Sequence, residues 1–351
     1  MTAHVHANVR DDGPPQERCA IAFWGLPRAF ESLVLPSLVQ NVIRPNAQYE
    51  CDYFVHFYEL DQEAGGRSGG GGTLNVKEIY QLEQAVHNEH EKMQQFQQAG
   101  RRKTKPLVEF TFDKEEDFWT RYKSLLDKIH DTKDDKGKPL YFPFKALTYQ
   151  FPTTIDNIIK MWHSIERAWD FMQESATSNH VQYTHIAMLR SDVLYMTSID
   201  IMAHPNQAVI PGFGRHPVSD RIVIGPAKAV QIWAKGRFSR LDDHVEYMRK
   251  NEYGWGMQSE RFMFYTLYPA MREVLPDPEN AIYEDKEMCF FRARADESVW
   301  VSDCNVPNTP KQTEKRDLVA KILGRPCHGK GQQLPDRKAV KSLDCHREVT
   351  A

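Results

Sequence analysis

No apolar run of about 18 residues occurs in the 351-residue chain, so a hydrophobic membrane-spanning helix is not expected. Its first 17 residues, MTAHVHANVRDDGPPQE, lack the apolar centre of a signal peptide. Neither sign of charge is in large excess. The 45 Lys and Arg against 48 Asp and Glu give a net charge of −3, with no global attraction to nucleic acid or anionic lipid. Cysteine is sparse: six residues, none in CxxC spacing, support neither a zinc module nor a dense disulfide scaffold, and reduced thiols are the default. The pairs Cys327-His328 and Cys345-His346 lack the short loop spacing of zinc modules. GxGxxG and GxxxxGK[ST] are both missing, which removes the dinucleotide and Walker fingerprints. Without leader or anchor the chain reads as cytoplasmic, or as a Golgi or secretory protein if it is a fragment that has lost its anchor.

What is present suffices for one large core, with 41% hydrophobic and 26% charged residues. CAIAFWG (19–25) is short, apolar and closed by glycine, as a buried strand is, and LPRAFESLVLPSLVQNVI follows at helical spacing. CDYFVHFYEL (51–60) is again apolar enough to be buried on both faces. Two such strands around a helix predict a βαβ unit, hence an α/β protein with a mostly parallel central sheet flanked by helices.

Gly-rich DQEAGGRSGGGG (61–72) opens a polar surface insertion of about 61–140, inside which PLVEFTF (106–112) resumes the sheet and DFWTRYKSLLDKI predicts a helix. TTIDNIIKMWHSIERAWDFMQ predicts an amphipathic helix feeding a strand through HIAMLRSDVLY. QAVIPG and DRIVIG predict short strands, PAKAVQIWAKGRF and SERFMFYTLYPAM helices, and EMCFFRAR a last strand. The domain is thus expected over 18–305, between a disordered leader (1–17) and a basic, largely disordered tail (306–351).

Chemistry is sought at strand exits, because ligands of open α/β sheets bind beyond the carboxyl ends of the strands. Gly25, Pro27 and Arg28 follow the first strand, where a helix N-terminus can meet an anion. Arg190 and Asp192 stand two apart in an apolar run, which in a strand puts them on one face. They are either a buried ion pair or a ligand contact, with Arg190 binding phosphate and Asp192 a hard cation. His56 reads as a satisfied core histidine. Asp220 with Arg221 precedes IVIG as a turn, and Glu260 in QSERFMF reads as a first-turn acid that could also act as a base.

Taken in order, AIAFWGLPRAFES, CDYFVHFYE, the helix from YQFPTTIDNIIKMW, HIAMLRSDVLY, VSDRIVIGPAKAV and QSERFMF resemble glycosyltransferase-like proteins of the GT-A type, over roughly 19–294 without the insertion. That resemblance implies a Rossmann-type sandwich that transfers a hexosyl or related sugar from a nucleotide-sugar donor to a glycan or other hydroxyl acceptor. Position by position, it places Gly25, Pro27 and Arg28 near the nucleotide. Arg190 and Asp192 fall on the DxD-like element, with Asp192 on Mn²⁺ or Mg²⁺. Asp220 and Arg221 fall on the acceptor side, and Glu260 near the sugar, with Glu260 or Asp220 as base. The chain departs from that pattern in having Arg190 for the first acid. One carboxylate with substrate phosphates then holds the metal, or Arg190 neutralises the departing diphosphate without one. The alternative is a catalytically inactive relative that uses the same fold for binding or scaffolding.

Overall fold

The structure is a computed structural model and describes residues 16–65, 71–96, 104–143, 149–251, 254–304, 312–329 and 342–345. Its strands are β1 (Gln16–Gly25), β2 (Asp52–Glu59), β3 (Gln62–Glu63), β4 (Gly72–Thr73), β5 (Val108–Lys114), β6 (Val181–Arg190) and β7 (Val193–Tyr195). They continue as β8 (Ala208–Pro211), β9 (Val223–Pro226), β10 (Ile282–Asp285), β11 (Phe290–Ala293), β12 (Ser298–Trp300), β13 (His328–Gly329) and β14 (Ser342–Asp344). Seven of them form one sheet in the order β10-β8-β9-β6-β1-β2-β5, parallel throughout except for β9. The protein is therefore α/β with a mostly parallel mixed sheet.

The first strand shows why its sequence is apolar without a break. Cys19, Ile21 and Phe23 enter one core with the Phe30–Tyr49 helical stretch, while Ala20, Ala22 and Trp24 enter the other with the Thr153–Ser178 helix. Both faces are covered, so alternation in hydropathy gives way to alternation between two cores. The helical stretch after β1 mixes π-type and α-type turns. Pro36 and Pro45 sit in the first turns of its α segments, where a missing N–H interrupts the regular ladder.

A second sheet, β13-β14-β12-β11-β7, is antiparallel. It corrects three expectations. HIAMLRSDVLY is two strands in two sheets: β6 ends at Arg190, the chain bends at Ser191 and Asp192, and β7 pairs with β11. The β6 exit is closed by Ser191, whose N–H and hydroxyl both donate to the Trp24 carbonyl (3.0 and 3.2 Å). EMCFFRAR is not the last strand, since β12, β13 and β14 follow it. In the expected disordered tail, the described residues include the Gln312–Leu323 helix, with Val319 in the core, and two strands of this sheet. Residues 1–15 of the expected leader lie outside the described residues, and Gln16 and Glu17 already belong to β1.

The insertion is likewise structural. Leu74, Val76, Ile79, Leu82 and Val86 are buried in the first core, and β5 is an edge strand of the main sheet. The Gly-rich segment expected to lack regular structure carries the two-residue pair β3–β4 at its ends. All six cysteines are paired, as Cys19–Cys51, Cys289–Cys304 and Cys327–Cys345, so the reduced-thiol expectation is overturned. Parallel pairing of Ala20 with Asp52 sets Cys19 beside Cys51. Closing a loop of 32 residues removes unfolded-state entropy equivalent to about 3–4 kcal/mol.

One core histidine contributes to an acid limit. His244 lies against the Phe262 ring with Nδ1 2.7 Å from the Thr266 hydroxyl, and burial pushes its pKa down to about 4. The unfolded chain protonates this residue near pH 6.5, so its contribution is complete above that value and is lost as pH falls toward 4. The loss amounts to roughly 3 kcal/mol at 1.36 kcal/mol per pH unit. Urea unfolding across that window is expected to show a flatter pH dependence for His244→Asn than for the wild type. An unchanged slope would assign the acid limit elsewhere.

Candidate functional site

From β1 the chain builds outward on one side to β2 and β5, while β6 lies on the other, so the switch point falls between the carboxyl ends of β1 and β6. Gly25 and Arg190, the last residues of those strands, meet there. Gly25 has φ +110°, a conformation that costs glycine little and other residues much, and its N–H donates to Ser164 Oγ at 3.0 Å. The loop that follows delivers Arg28.

A cavity of about 610 Å³ opens at this point, bordered by Gly25, Arg28, Glu63, Lys160, Ser164, Arg190, Asp192 and Arg294 with the rings of Trp24 and Tyr58. Asp192 lies at its floor with its side chain 2% exposed. Arg190 grips it as a fork, Nε to Oδ1 and a terminal nitrogen to Oδ2, both 2.7 Å. Arg28 makes a third contact, also to Oδ2. Burial opposes ionisation of Asp192, but Arg190 and Arg28 outweigh it and hold the carboxyl well below the usual carboxylate range.

Arg28 also binds Glu63 at 2.7 and 2.8 Å, and Arg294 lies 3.6 Å from the same Glu63 oxygen. Burial and the neighbouring Arg28 lower the pKa of Arg294. Its Nε is buried without a hydrogen-bond partner among the described residues. Three guanidiniums thus face two carboxylates, leaving one positive charge. Lys160, on the cavity wall, is paired with Glu115.

A second cavity of about 770 Å³ is bordered by Asp220, Ser259, Glu260 and Arg292. It adjoins the first, since Gly65, Thr153, Asn157 and Met161 border both. The candidates from sequence therefore fall into two groups: Gly25, Arg28, Arg190 and Asp192 in one cavity, Asp220 and Glu260 in the next. Pro27, within the loop, is buried. Arg221 pairs with Asp303 at 2.9 Å, beside Arg292 at 3.0 Å from the same carboxylate. Neither Pro27 nor Arg221 borders the two cavities.

Sequence reasoning missed Arg294, at the end of β11, and Glu63, inside the Gly-rich segment. Charged residues at strand ends were the available signal for Arg294. None pointed to Glu63. It also missed a buried polar group behind the first cavity. His56 on β2 is fully buried and doubly partnered, Nδ1 with Ser164 Oγ at 2.8 Å and Nε2 with Asp113 Oδ2 at 3.2 Å. His163 Nε2 meets the same Asp113 oxygen at 2.5 Å. Burial lowers the pKa of His163 to about 4 and lowers that of His56, so both imidazoles are neutral near pH 7. Asp113, bonded by His56 and His163, is held below its usual range. Two neutral imidazoles and a carboxylate could hold a metal ion, and among the described residues they are the one such group of three.

No helix among the described residues is long and apolar enough to cross a membrane. No protein-family model matches the chain, and no curated protein matches it.

Proposed function

We propose that the chain is a glycosyltransferase of GT-A type that holds the diphosphate of a nucleotide-sugar in the first cavity and the acceptor in the second. The observation that carries this reading is the convergence of Arg28, Arg190 and Arg294 at the β1/β6 switch point, with one positive charge in excess and a buried Arg294 N–H left to donate. Trp24 and Tyr58 add apolar wall for a nucleotide. The cavity volumes suit ligands of that size.

Negative charge grows on the diphosphate as the bond to the sugar breaks. Guanidiniums placed in advance lower that barrier without reorganising. A resident Mn²⁺ or Mg²⁺ does not fit Asp192: both of its oxygens are bonded to arginines in a nearly closed site. The charge is accordingly assigned to the arginines, and Asp192 to their alignment. Glu260 or Asp220, bordering the acceptor cavity, takes the proton of the attacking hydroxyl.

One observation favours the inactive alternative: Arg28 and Arg190 are already paired with carboxylates, as in a purely structural ion-pair network. A screen of nucleotide-sugars for binding and turnover separates the two. The expected result is turnover that falls by about 100-fold or more in Glu260→Gln or in Asp220→Asn, with donor affinity kept in both. Binding without turnover of any donor would favour the inactive relative, and no binding at all would overturn the transferase reading. Three disulfides also fit residence in an oxidising compartment better than the cytoplasm expected from the reduced-thiol reading.

A further inference from the structure

We infer that His56, Asp113 and His163 form a site for a divalent first-row transition ion, zinc by preference, independent of the sugar-transfer reading. The donors come from three elements. His56 lies on β2, Asp113 at the end of the neighbouring β5, and His163 on the Thr153–Ser178 helix packed over both strands. Their ligand atoms all lie within 4.8 Å of one another. A tetrahedral zinc with bonds of 2.0–2.1 Å needs donor atoms about 3.4 Å apart. The His56–Asp113 separation of 3.2 Å already matches, and the 2.5 Å between His163 and Asp113 needs to open by less than about 1 Å.

The surroundings also fit a metal. Both histidines turn Nε2 inward and have an oxygen at the other nitrogen: Ser164 Oγ at 2.8 Å from His56 Nδ1, and the Tyr122 hydroxyl at 3.0 Å from His163 Nδ1. Partners of that kind fix the tautomer and aim of metal-binding imidazoles. The rings of Tyr58, Phe118 and Tyr122 enclose His163. Imidazole and carboxylate donors suit zinc and its neighbours rather than calcium or magnesium.

The arrangement without metal contains a conflict. His163 Nε2 needs a proton to donate to Asp113 and a lone pair to accept from Arg121, whose terminal nitrogen is 3.4 Å away. A cation in place of that guanidinium removes the conflict, with both imidazoles and the carboxylate acting as donors of lone pairs. The Arg121 side chain is 49% exposed and 3.7 Å from Asp113, so it can swing into solvent and give the ion a path in and room for a water as fourth ligand. None of the three ligands borders the two large cavities. The ion therefore clamps β2, β5 and the long helix, and through Ser164 steadies the Gly25 loop.

The test uses the full chain, stripped with a chelator and returned to metal-free buffer, then titrated with Co²⁺ and with Zn²⁺ in competition. The expected result is one Co²⁺ per chain with the intense visible absorption of tetrahedral coordination, displaced by Zn²⁺, and a higher melting temperature with Zn²⁺. His163→Gln is expected to lose that spectrum and at least about 100-fold in affinity. Arg121→Ala, which removes only the competing exposed cation, is expected to bind more tightly than the wild type. No tetrahedral Co²⁺ spectrum in either the wild type or Arg121→Ala, or an unchanged affinity in His163→Gln, would overturn the proposal.

Discussion

Asp192→Asn is expected to bind nucleoside diphosphates at least as tightly as the wild type while folding less stably. In the fold Asp192 is a buried counterion to Arg190 and Arg28. Removing one partner from such a group costs about 3–5 kcal/mol, because the others keep their desolvation penalty without its compensation. The same change removes a negative charge from the cavity floor. At about 7 Å and an effective dielectric near 20, one such charge repels each phosphate charge by roughly 2 kcal/mol before screening. The expected gain in affinity is about tenfold, at 1.4 kcal/mol per decade. Bound nucleotide should also restore part of the lost stability, since it fills the place of the missing anion. Calorimetric titration and thermal unfolding, with and without nucleotide, measure both parts. If Asp192 were a metal ligand, the variant would instead lose nucleotide affinity together with any response to Mn²⁺.

Arg190→Ala should have the opposite effect on binding, weakening nucleoside diphosphate affinity by about 100-fold or more. Two charge-assisted hydrogen bonds at roughly 1.5–3 kcal/mol each set that scale. Stability falls as well, by about 3–5 kcal/mol, because Asp192 keeps only Arg28. Arg190→Lys restores the charge but not the planar fork, and its affinity should stay within about tenfold of the alanine variant. Arg294→Ala separates binding from folding. Its nearest carboxylate, Glu63, is 3.6 Å away, so nucleotide affinity should drop with a much smaller loss of stability. Wild-type affinity in both alanine variants would remove the diphosphate from this cavity.

Much of the sheet was legible because its strands are short apolar runs covered on both faces, and the long helix because Ile155, Ile159, Trp162 and Trp169 share one stripe. Of the residues read at strand exits, Gly25, Arg28, Arg190 and Asp192 border one cavity at the switch point. What failed depended on partners distant in sequence. The side-by-side placement of Arg190 and Asp192 was read from strand periodicity, but the strand ends between them, and their pairing comes from the bend that carries the chain into the second sheet. The Cys19–Cys51 pairing follows from the parallel register of β1 and β2, which no spacing rule contains. The polar composition of 61–140 concealed a buried helical face, because residues such as Ile79, Leu82 and Val86 contribute one narrow apolar stripe amid charge. His56 was read as a core histidine with its polar atoms satisfied, and the structure buries it with partners at both ring nitrogens. Its partners Asp113 and His163 lie in other segments and could not be paired with it from sequence.

The central claim is that arginines, not a metal on Asp192, receive the diphosphate at the β1/β6 switch point. It is tested most directly by titrating UDP- and GDP-sugars into the purified full chain with and without added Mn²⁺. The account predicts that at least one donor binds with a dissociation constant between about 1 μM and 1 mM, the range typical of enzyme substrates, and that Mn²⁺ leaves the value unchanged within about twofold. Binding that appears only with Mn²⁺, or no binding by any nucleotide-sugar, would contradict it.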